Sequence, residues 1–327
     1  MGLRHALTLK NMGIEIAGVV DISSDALQAG IDKGLYNSSA AFTDPDKAFS
    51  EAEVDLVVIS TTAPLHHEYL RRAAERGVKY VLCEKPLAPS LGQCEDMLRI
   101  CSEHSIRCAV NHQRRFIDHY HMLKEMSMTG SLGPFTAFQV NAGNFGIAMN
   151  GSHYIEIASH LFGERFASVT GWLSDDELPN PRGEQFKDFA GCIRATTEAG
   201  KRFYLDASTD QYHGLNVVIA SRHGQVQIDD LAGKLHINQR KVEHVDAPSA
   251  RYGMPSELTN DDFSVDIVTV NQRMLEALLN DGDYPTLEDG LHTIQVLVAA
   301  QMSNEQGNKE VNLVDTAAQK SRVFPWA

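Results

Sequence analysis

Residues 1–21 read MGLRHALTLKNMGIEIAGVVD, and the fold turns on how they are parsed. Gly2 precedes a short helical pattern with Leu3, Ala6, Leu7 and Leu9 on or near one face, and Gly13 stands where a left-handed helix cap favours glycine. The run IEIAGVVD at 14–21 is mostly apolar and ends in Asp21, the pattern of a buried strand. A glycine opening a helix, a strand after it and an acid about 20 residues on form the second half of a dinucleotide-binding fingerprint. The strand and the Gly-x-Gly of the first half are not in the sequence.

In a doubly wound sheet that first strand lies centrally, between the second and the fourth. Burying about five of its apolar side chains, at roughly 1.5 to 3 kcal/mol each, is comparable to a domain's net stability of about 5 to 15 kcal/mol. A sheet divided at its centre is therefore not expected to hold, and the pyrophosphate turn is expected to be half built. Met1 is expected to be an internal methionine of a longer chain, or the start of a fragment.

From residue 14 to about 111, short apolar runs alternate with helical patterns. IEIAGVVD is followed by a helix near Ser24 to Gly34, VDLVVIST by one near Leu65 to Arg76, and VKYVLCEKP by one near Ser90 to His104; IRCAVN closes the series. The alternation predicts a parallel sheet with right-handed crossovers, whose ligands bind beyond the carboxyl ends of the strands. Asp21, Ser60 to Thr62, Glu84 to Pro86 and Asn111 then share one rim. After a helix around Phe116 to Ser127, the runs FTAFQVNAG, FASVTGWLS, FAGCIRATTEAGKRFYLDAST, LNVVIASRHGQVQID and KLHINQ read as strands, with EAGK and RHGQ as hairpin turns. Two helices follow, near Asp262 to Leu279 and Leu287 to Met302. The expected architecture is an α/β Rossmann-type parallel sheet, N-terminally truncated, in residues 1–112, and an α+β domain with a mostly antiparallel sheet in 113–327.

The 327 residues exceed what one core usually holds. The formal charge of −14 argues against a phosphate-backbone partner and so against nucleic acid. Nowhere do 18 apolar residues run together, and the start lacks a signal peptide's apolar core, so no membrane role and a cytoplasmic location are expected. MGLRHA also departs from the myristoylation pattern at Ala6. Cys83, Cys94, Cys101, Cys108 and Cys192 show no paired metal spacing; Cys94 and Cys101 read as small apolar residues of one helix. His119 and His121 fall on roughly opposite sides of a helix, which suits a solvated surface. No metal is assigned.

Two segments carry chemistry. In CEKP, Lys85 follows an apolar strand and Pro86 fixes the turn, so its ammonium can face a ligand, and desolvation can tune it for acid/base work. A surface pair of Glu84 with Lys85 fits the same spacing. In NGSHYIEIASHLFG, His153 lies at a helix start, where the dipole lowers a histidine's pKa; a capping or surface histidine fits as well.

Asp21 after a strand, STTAPLH after another, VLCEKPLA after a third, then NHQRRF, NGSHYIEIASHLFG and YPTLEDGLHTIQVLVAAQMS, resemble in their order the Gfo/Idh/MocA oxidoreductases over nearly the whole chain. The resemblance implies a nicotinamide cofactor and a sugar, inositol or nucleotide-sugar substrate. It makes Lys85 and His153 the catalytic residues, His153 as acid/base, with hydride transfer between a carbinol carbon and the nicotinamide. It puts Gly2, Asp21, Thr61, Thr62, His66, Glu84, Lys85 and Asn111 at the cofactor, and Arg115, Asn150 and Tyr154 at the substrate. NAD is favoured over NADP, because DISS offers no arginine for a 2′-phosphate. Many members carry an aspartate four residues before the histidine, where this chain has Met149, and an aspartate three after it, where it has Glu156. A binding protein that holds NAD without turnover is the alternative, and a member that oxidises its substrate transiently during glycoside cleavage is a third reading. Packing of the second sheet against another copy implies a homodimer or homotetramer.

Overall fold

The computed structural model describes residues 1–327 except 175–179, 212–213, 249–250 and 252. The chain forms two compact units. One comprises Met1–Ala88, Gly92–Phe116 and Asp266–Gly290, the other Pro89–Leu91, Ile117–Val265 and Leu291–Ala327. The first unit thus reaches Phe116 and takes in the late segment Asp266–Gly290, while the short stretch Pro89–Leu91 falls in the second.

In the first unit, α1 (Gly2–Asn11) ends before Gly13, whose φ of +69° takes the left-handed turn expected there. Of IEIAGVVD, only Val19–Val20 forms a strand, β1, which pairs in parallel with β2 (Ala41–Phe42). Its ladder runs on one side alone, and a longer extended segment would leave further backbone groups without sheet partners. β3 (Leu56–Ile59), β4 (Tyr80–Cys83) and β5 (Arg107–Val110) form a separate parallel sheet in that order. Among the described residues no strand joins the two sheets. The divided sheet is therefore what the structure contains, as two small sheets.

The helices between these strands start where short polar side chains cap them. Ser23 accepts from the Ala26 N–H ahead of α2 (Ser24–Asp32), and Asp44 from the Asp46 N–H ahead of α3 (Pro45–Glu51). α3 was not anticipated. α4 (His66–Glu75) and α5 (Leu91–His104) match the expected helices to within a residue or two. α8 (Ile267–Leu279) begins five residues later than expected, because Asp266 caps it through the Val268 N–H. It buries Val270, Met274, Leu275 and Leu278 on one face, the last three in a core cluster with Leu82 of β4 and Ala109 of β5. Each such side chain contributes roughly 1.5 to 3 kcal/mol of burial. The core of the first unit is thus completed from distant sequence.

The second unit is built on a nine-stranded sheet. Its strands are β6 (Phe135–Gly143), β7 (Phe166–Ser174), β8 (Ala190–Thr197), β9 (Arg202–Ser208), β10 (Asn216–Ser221), β11 (Gly224–Asp229), β12 (Lys234–Arg240), β13 (Ser256–Asp262) and β14 (Val311–Asn312). The order is β13-β12-β11-β10-β6-β9-β8-β7-β14, antiparallel throughout except for the parallel pair β6–β9. The EAGK and RHGQ turns join β8 to β9 and β10 to β11 as hairpins, as their glycines suggest. Val140, Leu205, Val217, Ile219, Val226 and Ile237 are buried, whereas Gln139, Asn141, Gln225, Gln227, Asn238 and Asn260 are exposed. α6 (Asp118–Met128), α7 (Ser152–Phe162) and α9 (Leu287–Glu305), the last apart from its first turn, add helical layers. β13, which has no apolar alternation, lies at one edge of the sheet. No described helix is long and apolar enough to cross a membrane.

Candidate active-site residues

Ile59, Cys83 and Val110 stand in register at the carboxyl ends of β3, β4 and β5, so Ser60, Glu84 and Asn111 emerge side by side. The Glu84 N–H donates to the Ile59 carbonyl at 2.9 Å, and the Asn111 N–H to the Cys83 carbonyl at 2.7 Å. The Glu84 carboxylate turns inward and is buried. Its Oε1 accepts from Asn111 Nδ2 at 2.8 Å and from His5 Nε2, on α1, at 2.8 Å. Burial alone would raise the Glu84 pKa, but His5, the Asn111 hydrogen bond and the charge of Lys85 outweigh it and bring it down to about 2. Glu84 is therefore an ionised internal anchor. Lys85, next along the chain, is 8% exposed and precedes Pro86 through a cis bond.

His112 is buried beside Asn111. Burial first, then the charges of Lys85 and Arg115, push its pKa down to about 3, so the ring is neutral. Arg115, expected at the substrate, pairs with Asp289 at 2.7 Å and Asp283 at 3.5 Å. His66 is fully buried between the Leu87 carbonyl, 3.1 Å from Nδ1, and the Thr61 carbonyl, 3.0 Å from Nε2; burial lowers its pKa. It ties the Thr61 loop to the segment after Lys85. Cys83, Cys94 and Cys108 are buried, with thiol pKa values raised chiefly by desolvation at Cys83 and Cys94, and by the Cys101 hydrogen bond at Cys108.

The remaining cofactor candidates lie at the start of α1 and after the ends of β1, β3 and β5. A Cβ at Gly2 would stand 3.3 Å from Ser60 Oγ, a close approach of the α1 start to the end of β3. Asp21 is exposed at the end of β1 and accepts from the Ser23 N–H at 2.9 Å. Thr61 is exposed, and Thr62 precedes the short turn Ala63–Leu65. Asn111 Oδ1 is buried without a hydrogen-bond partner. A helix start with no side-chain cap, an exposed carboxylate after β1 and an enclosed lysine at the strand ends fit the pyrophosphate, adenosine ribose and nicotinamide ribose of a dinucleotide.

In the second unit, the segment ahead of α7 is a π-helical turn, Ile147–Gly151, entered through Gly146 at φ +79°. Asp188 Oδ1 accepts from the Ala148 N–H and Oδ2 from the Met149 N–H, each at 2.8 Å. The carboxylate missing from side chain 149 is thus delivered to the backbone of that same residue from another loop. Asn150 Nδ2 donates to the Phe145 carbonyl. His153 is the second residue of α7 and is half-buried. Tyr154 is fully enclosed, and its hydroxyl donates to Asp230 at 2.6 Å, with the Tyr120 hydroxyl 3.3 Å from the same oxygen. Tyr154 therefore braces the base of α7. His119, expected on a solvated surface, is buried between the rings of Tyr120 and Phe263, with Nε2 3.6 Å from Asp230.

His5 and Asp188 were not singled out on sequence. A polar residue on the inward face of α1 was a signal for His5; nothing local marks Asp188.

Residues 1–112 match the family model GFO_IDH_MocA, described as an oxidoreductase family with an NAD-binding Rossmann fold. D-apiose dehydrogenase of Paraburkholderia graminis is 25% identical, covering 90% of this chain and 82% of that protein. Inositol 2-dehydrogenase 3 of Saccharopolyspora erythraea is 27% identical, covering 69% of each. Levoglucosan dehydrogenase in complex with NADH and levoglucosan superposes with a TM-score of 0.79 over 96% of both chains at 16% identity. An Agrobacterium radiobacter oxidoreductase in complex with NAD+, L-tartaric acid and magnesium gives 0.76 over 96% of both chains at 20%. The family match thus covers the first 112 residues, which hold the parallel strand ends and the enclosed Lys85, and the likeness in fold to NAD-complexed oxidoreductases extends over nearly the whole chain.

Proposed function

We propose that this protein is an NAD-dependent dehydrogenase of a hydroxyl carbon in a sugar, inositol or nucleotide sugar. The observation that carries this reading is Lys85, enclosed at the carboxyl ends of a parallel sheet beside an ionised, buried Glu84. Gly2, Asp21, Thr61, Thr62, Lys85 and Asn111 are the residues that would hold NAD. Asp21, with no arginine in DISS, favours NAD over NADP. NAD, when bound, supplies the acceptor for the hydride released from the carbinol carbon. Lys85 would donate hydrogen bonds to the ribose of bound NAD, and His153, as the acid/base the resemblance implies, would take the proton of the substrate hydroxyl. Asp188, through two backbone N–H groups, holds the turn from which α7 and His153 start.

The partner is a small molecule in the cytoplasm rather than nucleic acid. The charge of −14 supports the second point, and five unpaired cysteines suit a reducing compartment. A second copy of the chain is the partner proposed for the exposed sheet face. Gln139, Asn141, Gln225, Gln227, Asn238 and Asn260 give that face a set of hydrogen-bonding carboxamides beside the exposed Lys234–Asp262 ion pair.

Lys85→Ala tests the reading. It is expected to abolish turnover across a panel of sugars, inositols and nucleotide sugars offered with NAD and NADP, while NADH binding, followed by its fluorescence, is weakened but measurable. Full activity in that variant overturns the assignment.

A further inference from the structure

We infer that His5 is a positioning residue that couples the first turn of α1 to the Glu84–Lys85 turn. This rests on the catalytic role proposed for Lys85. His5 Nε2 and Asn111 Nδ2 meet one oxygen, Glu84 Oε1, both at 2.8 Å. Because Glu84 and Asn111 are also held by backbone hydrogen bonds to Ile59 and Cys83, one carboxylate joins α1 to the ends of three adjacent strands. His5 is 1% exposed and Asn111 0%.

The set is ill suited to stability alone. His5 Nδ1 and Asn111 Oδ1 are both buried without hydrogen-bond partners. An ionised Glu84 cannot donate, so His5 donates from Nε2, and its Nδ1 is left without a partner. Each unmet buried group carries a desolvation penalty, and well-packed apolar residues often replace buried charged sets without loss of stability. What apolar residues could not do is fix the direction of the Glu84 carboxylate, and with it the charge beside which Lys85 sits. His5 also lies three residues after Gly2, on the helix whose start would receive the pyrophosphate. A displacement of that turn is therefore passed to Lys85 through one imidazole.

Three variants separate this coupling from a packing role. His5→Leu fills the space and removes the donor, His5→Asn stays polar but falls short of Glu84, and His5→Gln keeps a donor of similar reach. His5→Leu and His5→Asn are expected to lower kcat on the order of 100-fold, as for a catalytic group displaced by about 1 Å, with KM little changed; His5→Gln restores most of the turnover. The second readout needs neither substrate nor cofactor. With lysines carrying ¹³C-methyl labels, the Lys85 resonance at fixed pH moves in His5→Leu and His5→Asn and returns toward the wild-type position in His5→Gln. A Lys85 resonance that stays in place in either loss-of-donor variant, with wild-type kcat, overturns the inference; so does equal damage in all three variants, which marks packing alone. If Lys85→Ala proves fully active, the catalytic reading fails, and the resonance still decides the coupling.

Discussion

Replacing His112 by Gln gives a test whose size follows from burial and charge. The free imidazole pKa is 6.5, and in the folded protein burial, Lys85 and Arg115 hold His112 at about 3. The unfolded chain therefore takes up this proton first. The stability contribution of neutral His112 is complete above pH 6.5 and is lost as pH falls toward 3, at about 1.36 kcal/mol per pH unit. Between pH 6.5 and pH 5 the loss amounts to roughly 2 kcal/mol. That window lies above the range in which Glu84 acts, since a carboxylate held at about 2 keeps its contribution until pH drops below the ordinary value of 4.5. His66, also lowered by burial, contributes equally to both proteins and cancels in the comparison. The two tryptophans, Trp172 and Trp326, are in the second unit and do not report on this one. Amide hydrogen exchange by mass spectrometry on peptides spanning β4 and β5, corrected for intrinsic rates at each pH, reads the first unit directly. Wild type is expected to lose roughly 2 kcal/mol more than His112→Gln from pH 6.5 to 5. Parallel pH dependences, differing by less than about 0.5 kcal/mol, would refute the reasoning.

Two further outcomes follow from the second unit. Gly146→Ala places a Cβ 2.4 Å from Asp188 Oδ2 at a φ of +79°, so it is expected to cost roughly 1 to 3 kcal/mol and to lower kcat by releasing the turn before His153. Urea denaturation followed by tryptophan fluorescence, together with steady-state kinetics, checks both effects, and unchanged stability would count against the Asp188 bracing. Light scattering is expected to give a dimer or tetramer of the 36.1 kDa chain, and a monomer at micromolar concentration removes the role proposed for the carboxamide-rich sheet face.

Position along the chain was legible wherever topology alone sets it; the direction a side chain takes was not. Strands buried on both faces, such as Tyr80–Cys83 and Arg107–Val110, read as continuous apolar runs, and their parallel alternation with helices places Glu84, Lys85 and Asn111 at the carboxyl ends before any contact is known. The same signal overextended β1, because an apolar run states a preference for burial and cannot supply a ladder partner. β13 left no signal at all, since seven exposed residues have no buried face to alternate. At the site, Glu84 faces inward because His5, 79 positions away, meets it; Tyr154 is claimed by Asp230 from 76 positions away, and the Met149 backbone by Asp188 from 39. Each partner lies on another element, where local spacing carries no information. A carboxylate beside a lysine on a ligand rim reads from sequence as two candidate contacts. A buried imidazole and a carboxamide claim the carboxylate, and on the role proposed for Lys85 the rim offers one contact with Glu84 behind it.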